Sequence, residues 1–182
     1  MMLLDGTGKG YQMEIDKDNH AHVRAYSQDV AHLISHKDGL SFSWTIVPYN
    51  YAALDTIMLL RNDDSNRDLV ITDIWAVSDA ATDIIVHYTD GTPFLPAGVA
   101  VVGTNANRKS TRAALATAIG AETNNVQGNI ALQLPLVAGN MIHIQTRGAV
   151  ILGYNNSIAI DYPTVGTLAH AAIGGYYSDI ES

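Results

Sequence analysis

The chain has 182 residues, of which 47% are apolar and 15% charged, so it holds ample material for a core and too little charge for a disordered protein. Cysteine is absent, which excludes disulfide bonds, thiolate metal sites and a cysteine nucleophile. The formal net charge is −8, yet residues 91–182 hold only four acids and four bases, and such a charge-poor half favours burial against other subunits.

The first ten residues predict a flexible arm. Gly6, Gly8 and Gly10 alternate with polar residues, and glycine at this density neither holds a helix nor packs a strand. The start of the sequence lacks the pattern of a secretory signal, and no apolar run approaches the ~20 residues that cross a bilayer. We therefore expect a protein that is made in a cytoplasm and has no membrane partner.

A β-hairpin is predicted directly after the arm. Tyr11, Met13 and Ile15 share one face of an alternating strand. Residues 16–19 have turn chemistry, and residues 20–27 alternate again, so the two runs are expected to pair.

The central part of the chain predicts a series of short strands. Residues 29–39 also have apolar spacing that suits a short helix. Beyond them, β-branched and aromatic residues recur between turn signals, and the two runs on either side of the polar turn 62–66 form the clearest strand–turn–strand unit. Strands are expected over residues 41–47, 56–61, 68–77, 83–89 and 99–102.

One short helix is predicted in the second half, over residues 110–121. Ser110 can cap it, the alanines favour it, and Gly120 would end it. After it the strand pattern resumes, and Asn155 with Asn156 forms the turn of a second predicted hairpin. The C-terminal strands are expected over residues 130–136, 141–146, 149–154, 157–162 and 165–173.

These elements predict an all-β fold, a β-sandwich or jelly-roll-like domain with at most one or two short helices. We expect residues 11–182 to form a single domain, with residues 1–10 as its arm. The chain has only four lysines, and lysine is a common protector of exposed strand edges. The sheet edges are therefore expected to be covered by other subunits.

The sequence shows no motif of a catalytic site, and neither enzyme activity nor a cofactor is expected. It has no Gly-x-Ser-x-Gly elbow, and residues 6–10 have the wrong order of glycine and lysine for a phosphate loop. His20 and His22 share one face of a predicted strand and are weak metal-ligand candidates, so a small metal-dependent enzyme stays open as an alternative. The one basic cluster, within residues 108–112, is too small to predict a nucleic-acid partner.

Aromatic residues leave a further alternative open, a receptor- or glycan-binding module, because aromatic faces can stack on sugar rings. Tyr176 and Tyr177 are the favoured pair, since they lie near the polar C-terminal end. The other aromatic residues considered are also core candidates: Trp44, Trp75, Tyr49 and Tyr51.

Parts of the sequence resemble uncharacterised structural proteins of tailed-bacteriophage virions. They correspond to the start, the central hairpin and the C-terminal hairpin of those proteins. The segments that carry the resemblance are residues 5–10 (DGTGKG), 15–20 (IDKDNH), 23–25 (VRA), 59–63 (LLRND), 69–74 (LVITDI) and 150–162 (VILGYNNSIAIDY).

The resemblance implies a structural part of the virion that is assembled in the host cytoplasm. Because the chain is short, an auxiliary capsid decoration or cement protein fits better than the main shell protein, and a fibre or tail component is the alternative. Its partners would be copies of itself, with a trimer favoured, and the major capsid protein or other virion proteins. Residues predicted to contact partners are Leu3, Leu4, Lys9, Tyr11, Tyr176 and Tyr177.

Overall fold

The computed structural model describes residues 14–15, 21–22, 39–46, 49–52, 55–90, 98–122 and 128–179. Every regular element within these ranges is a β-strand, so the predicted all-β class is confirmed. The described part of the chain contains no helix of the length and apolarity that a membrane span requires. The predicted arm and most of the ambiguous segment 29–39 lie outside the described residues.

Two short strands near the N-terminus pair as the sequence predicts. β1 (Glu14–Ile15) and β2 (Ala21–His22) are antiparallel, with Glu14 opposite His22 and Ile15 opposite Ala21. These residues belong to the two runs of the predicted hairpin, so its pairing is confirmed where the structure describes it. The turn between the two strands lies outside the described residues.

Two further sheets contain the other described strands, and all their pairings are antiparallel. The first sheet consists of β5 (Thr56–Asn62), β7 (Thr82–Asp90), β8 (Val99–Val101), β10 (Ala116–Glu122), β11 (Asn129–Leu136) and β13 (Asn156–Asp161). The second consists of β3 (Ser41–Thr45), β4 (Tyr49–Tyr51), β6 (Arg67–Ser78), β9 (Thr104–Asn105), β12 (Ile142–Leu152) and β14 (Gly166–Asp179). Neighbouring strands follow the orders β11-β7-β13-β5-β10-β8 and β12-β6-β14-β3-β9, with β4 also paired to β14.

The strand order is that of a jelly roll. Eight strands form the orders β3-β14-β6-β12 and β5-β13-β7-β11, and among them the chain changes sheet at every connection except that between β7 and β11. The segment between β7 and β11 adds β10 and β8 to the first sheet beside β5, and β9 to the second sheet beside β3. The predicted sandwich is confirmed.

The core lies between the two sheets and is built by alternation along the strands. Phe42 packs edge-on against Tyr177, with ring centroids 5.7 Å apart, and lies 6.1 Å from the fully buried Trp44. Tyr51 and Tyr162 form another edge-to-face pair at 5.4 Å. Aliphatic side chains fill the space around these rings, among them Ile57, Met58, Leu60, Leu69, Ile71, Ile74, Ile84, Val86, Ile158, Ile160 and Ile173.

The central and C-terminal hairpins expected from the sequence are corners between the sheets. β5 lies in the first sheet and β6 in the second, so the polar turn 62–66 joins opposite layers. The turn at Asn155 joins β12 and β13, which also lie in different sheets. Turn chemistry marks where the chain reverses, but it does not specify whether the flanking strands pair with each other.

The helix predicted over residues 110–121 is wrong. Ser110 Oγ does accept a hydrogen bond from the Arg112 N–H at 3.2 Å, as a cap would, but the chain continues into β10. Gly120, expected to end the helix, is buried within β10, where a Cβ atom would collide with Ile46. Small residues are needed there for close packing between strands, so tertiary packing overrides helix propensity.

β12 unites two segments that the sequence predicts as separate strands. Its register against β6 shifts between Gln145 and Val150, and Arg147 and Gly148 have positive φ values of 52° and 77°. The interruption is therefore a bulge inside one strand rather than a turn between two.

Candidate functional site

One side of the sandwich ends in two long strands that each have a single neighbour. Among the described strands, β11 pairs only with β7, and β12 only with β6, so both carry backbone groups without a strand partner. The two strands are joined through residues 137–141. We call residues 128–152 the uncharged edge, because they include no acid and Arg147 is their one formally charged residue.

Large apolar side chains of the uncharged edge are exposed to solvent. The exposed fractions are 58% for Ile130, 62% for Val137, 67% for Met141 and 57% for Ile151. Isolated apolar residues are ordinary on protein surfaces. A group of them in a charge-depleted strip beside open strand edges is typical of a protein–protein interface.

The uncharged edge is only partly protected against pairing. Pro135 in β11 has no N–H to donate, and the bulge at Arg147 and Gly148 interrupts β12. Lysine is absent from residues 128–152. The first half of β12 therefore remains a regular strand edge to which another chain can bind.

The opposite side of the sandwich ends in short strands and carries basic side chains. β8 and β9 end the two sheets there. Asn105 Nδ2 donates to the carbonyls of Gly39 at 2.8 Å and Arg112 at 3.1 Å, and Asn107 Oδ1 accepts from the Lys109 N–H at 3.1 Å. These bonds order the loop that presents the exposed side chains of Lys109 and Arg112. The two sides of the molecule thus differ in strand length and in charge.

The outer face of the second sheet holds an aromatic and polar cluster. Trp75 on β6 and His143 on β12 are register partners, and their rings stack with centroids 4.9 Å apart and planes 9° from parallel. His143 Nε2 lies 2.7 Å from Asp73 Oδ1, and the side chains of this pair are 36% and 27% exposed. The cluster is therefore accessible to a ligand from solvent.

A second histidine–aspartate pair is buried in the first sheet. His87 Nε2 lies 2.9 Å from Asp161 Oδ2, and His87 Nδ1 donates to the Gly128 carbonyl at 3.3 Å. Burial raises the pKa of Asp161 to about 7; a hydrogen bond with Thr56 lowers this pKa and the charge of Asp55 raises it. Neither of these two contacts of His87 involves a serine hydroxyl, so they do not form a Ser-His-Asp triad.

Tyr177 is a core residue, and its prediction as a partner contact is wrong. Its side chain is 2% exposed and packs against Phe42, so it cannot stack on a sugar in this fold. Burial raises the pKa of the Tyr177 hydroxyl, and the charges of Asp64 and Asp63 add to the rise. Tyr176 points to the other face of β14 and is half-buried, so the role predicted for the pair rests on Tyr176 alone.

Of the remaining predicted site residues, the structure describes only His22. Those outside the described residues are Leu3, Leu4, Lys9, Tyr11 and His20. His22 is described only as the strand partner of Glu14. Within the described ranges, no group of three or more His, Asp or Glu side chains is positioned to hold a metal ion.

Comparisons of the chain with protein-family models, curated proteins and solved structures found no match.

Two surfaces of the described structure combine exposure with an unusual composition: the uncharged edge, and the cluster around Trp75. The first has the chemistry for contact with another protein chain. The second has the chemistry for a small polar ligand with an apolar face.

Proposed function

We propose that this chain is a structural protein of a tailed-phage virion, an auxiliary capsid decoration or cement protein that assembles through its uncharged edge. The resemblance to virion proteins supports the proposal; it is carried by residues 5–10, 15–20, 23–25, 59–63, 69–74 and 150–162. The jelly-roll strand order supports it too, because this architecture is common among viral capsid domains.

The observation that carries the proposal is the coincidence of open strand edges with a strip almost without charge. Copies of a chain with net charge −8 repel each other, and the repulsion is reduced where one of the two contacting surfaces carries almost no charge. Full burial of a large apolar side chain such as Ile151 or Met141 contributes about 1.5–3 kcal/mol. A neighbouring chain can also add backbone hydrogen bonds along β12.

The difference between the two sides of the sandwich favours a ring. A contact between unlike surfaces is heterologous, and such contacts close into rings when the rotation between copies allows it. In the proposed ring the uncharged edge of one copy meets the side formed by β8 and β9 in the next. Three copies are the favoured number for a protein that sits on a symmetric shell.

The mass of the purified protein at micromolar concentration tests the assembly. Light scattering and sedimentation velocity should give a closed oligomer, with a trimer favoured. The double variant Val137→Lys, Met141→Lys introduces two charges into the uncharged edge and should give a monomer with the wild-type circular-dichroism spectrum. The matched control is Val165→Lys, which is 62% exposed but lies in the turn between the central strands β13 and β14, and it should stay oligomeric.

A monomeric wild-type protein would overturn the assembly. The virion role is tested separately, by immunogold electron microscopy of purified phage particles whose genome encodes this chain. Label should lie on the shell, and particles that lack the protein should lose integrity at a lower temperature than complete ones. Particles without label, or particles equally stable with and without the protein, contradict the decoration role.

A further inference from the structure

The exposed large apolar side chains of the described part of the chain gather on the two sides of the sandwich. Four of the ten lie on the uncharged edge, and three lie on the opposite side, which we call the basic side and define as residues 99–115. Val99 is 68% exposed, Val102 85% and Leu115 52%. Among the described strands, β8 pairs only with β10 and β9 only with β3. The basic side thus has open strand edges and apolar surface, as the uncharged edge does.

The basic side carries three cations without an acidic partner. Arg108, Lys109 and Arg112 are exposed, and none of them forms an ion pair with a residue that the structure describes. Arg61, in contrast, lies 2.7 Å from the Asp63 carboxylate. The three cations are therefore available to the acids of another molecule.

Backbone hydrogen bonds order the loop that carries these cations. The Ala106 N–H donates to the Ser41 carbonyl on β3 at 2.9 Å, and the Ser110 N–H donates to the Asn107 carbonyl at 2.9 Å. The side-chain bonds of Asn105 and Asn107 described above act on the same residues. An ordered loop loses little conformational entropy when it binds a partner.

Acids border the uncharged edge on both sheets. Asp73 on β6 is the register partner of Gln145, and Asp83 on β7 is the register partner of Pro135. Each acid therefore lies one strand spacing, about 4.8 Å, in from the open edge. Asp83 Oδ2 accepts from Gln133 Nε2 at 2.7 Å, and neither acid pairs with a lysine or arginine of the described residues.

Asp79 is a third acid, beside the turn that joins β11 and β12. The Gly139 N–H in this turn donates to the Ser78 carbonyl at 2.7 Å, which brings Asp79 close to the turn. Hydrogen bonds from the Thr167 hydroxyl and then from the Leu168 N–H lower the pKa of Asp79, so its exposed carboxylate stays ionised. The acidic border continues around this end of the uncharged edge.

We propose that the basic side of one copy binds across the uncharged edge of the next, with Arg108, Lys109 and Arg112 paired to the acids that border this edge. The inference rests on the assembly proposed above and specifies its contact, with apolar residues at the centre and ion pairs at the border. The cations lie on one side of the molecule and the bordering acids on the other. The contact is therefore head to tail, and it can close into a ring.

Ionic strength distinguishes this contact from a purely apolar one. Raising the NaCl concentration from about 50 mM to about 500 mM shortens the Debye length from roughly 14 Å to roughly 4 Å. The association constant of the wild-type protein, measured by sedimentation velocity, should fall at least about tenfold. Association that salt leaves unchanged or strengthens would overturn the inference, because salt does not weaken the burial of apolar surface.

Two variants that each lose one side test the direction of the contact. The basic-side variant Arg108→Ala, Lys109→Ala, Arg112→Ala should associate with itself at least about a hundredfold more weakly than the wild type. The edge variant Val137→Lys, Met141→Lys keeps its basic side. Each variant alone should be monomeric, with the wild-type circular-dichroism spectrum. An equimolar mixture at high micromolar concentration should contain dimers with one copy of each, because each variant keeps the side that the other lacks.

The control is Val165→Glu, which adds a negative charge at a position that is 62% exposed and outside both sides, and it should associate as the wild type does. A basic-side variant that associates like the wild type, or a mixture that stays monomeric, would overturn this inference alone and leave assembly through the uncharged edge intact. A monomeric wild-type protein would overturn both.

Discussion

Asn62 is a buried amide that joins three segments at one corner of the sandwich. Its Nδ2 donates to the carbonyls of Arg67 at 2.8 Å and Leu152 at 2.9 Å, and its Oδ1 accepts from the Asp64 N–H at 2.9 Å. The side chain therefore satisfies backbone groups of the β5–β6 corner and of the end of β12. A buried amide with its hydrogen bonds made specifies one arrangement of these segments.

Replacement of Asn62 by alanine should destabilise the fold by about 2–4 kcal/mol. The variant loses three hydrogen bonds and leaves two carbonyls without this donor. The free energy of unfolding in urea measures the loss. Asn66→Ala, an exposed asparagine in the same turn, is the control and should change stability by less than about 0.5 kcal/mol. Equal effects of the two variants would contradict the role of Asn62.

Asp161 gives the stability of the protein a distinctive pH dependence. Burial raises its pKa from 3.8 to about 7 in the folded state. The folded protein therefore binds a proton at the Asp161 carboxyl more tightly than the unfolded chain does. The stability that the protonated carboxyl contributes is complete below pH 3.8 and is lost as the pH rises toward about 7. The change is at most about 1.4 kcal/mol per pH unit.

The variant Asp161→Asn keeps the shape of the side chain and removes the titration. Between about pH 5 and about pH 7, the unfolding free energy of the wild type should fall by about 2 kcal/mol relative to that of this variant. Urea unfolding at several pH values measures the difference, which cancels the titration of the other carboxylates. Parallel pH profiles of the two proteins would show that Asp161 titrates normally.

At the scale of the element, β14 depends on glycine where it meets β6. The register between the two strands shifts at Gly174 and Gly175. A Cβ atom at Gly175 would lie 2.6 Å from the Val70 carbonyl oxygen, which is a backbone atom that cannot rotate away. The central strand of the second sheet therefore needs glycine at this point for close approach of two backbones.

Gly175→Ala should cost about 1–3 kcal/mol, because the added methyl group forces β6 and β14 apart. Thermal and urea unfolding measure the effect. Gly153→Ala is the matched control: its nearest neighbour would be 3.6 Å from the new Cβ, an ordinary contact, and its change should stay within about 0.5 kcal/mol. A Gly175 variant as stable as this control would mean that the bulge relaxes freely.

β10 shows where local propensity misleads. The alanines of residues 113–118 favour a helix in isolation. In the sandwich, Ala118 and Gly120 lie between β5 and β8, and a Cβ atom at Gly120 would collide with Ile46. The small residues that favour a helix in isolation thus also allow β10 to pack closely against its neighbouring strands. These contacts between residues far apart in the chain decide the conformation.

At the scale of the whole molecule, the proposed assembly couples stability to concentration. A folded oligomer gains stability by mass action, so its thermal midpoint should rise with protein concentration. The double variant Val137→Lys, Met141→Lys should show a midpoint independent of concentration. Scanning calorimetry over a hundredfold range of concentration makes the comparison. A wild-type midpoint that stays constant over this range would argue against association at the uncharged edge.

Sequence reasoning located most strands and missed most of the candidate sites. Tyr177 continues the two-residue period of Ala171 and Ile173, a signal that places it in the core. Trp75 and His143 are 68 positions apart in the sequence, and no local pattern predicts that their rings stack. The low charge of residues 128–152, where Arg147 is the one charged residue, was visible in the sequence, but the position of this run at the edge of both sheets was not.

The sequence by itself determined that this protein is a β-sandwich and where its strands lie, because the alternation of apolar and polar residues along a strand is a local property. Only the tertiary structure decided which strands of the two large sheets pair, that two apparent hairpins are corners between sheets, and that β11 and β12 end the same side of the molecule. Pairing depends on contacts between residues far apart in the chain, and these contacts also bring together Trp75, His143 and Asp73.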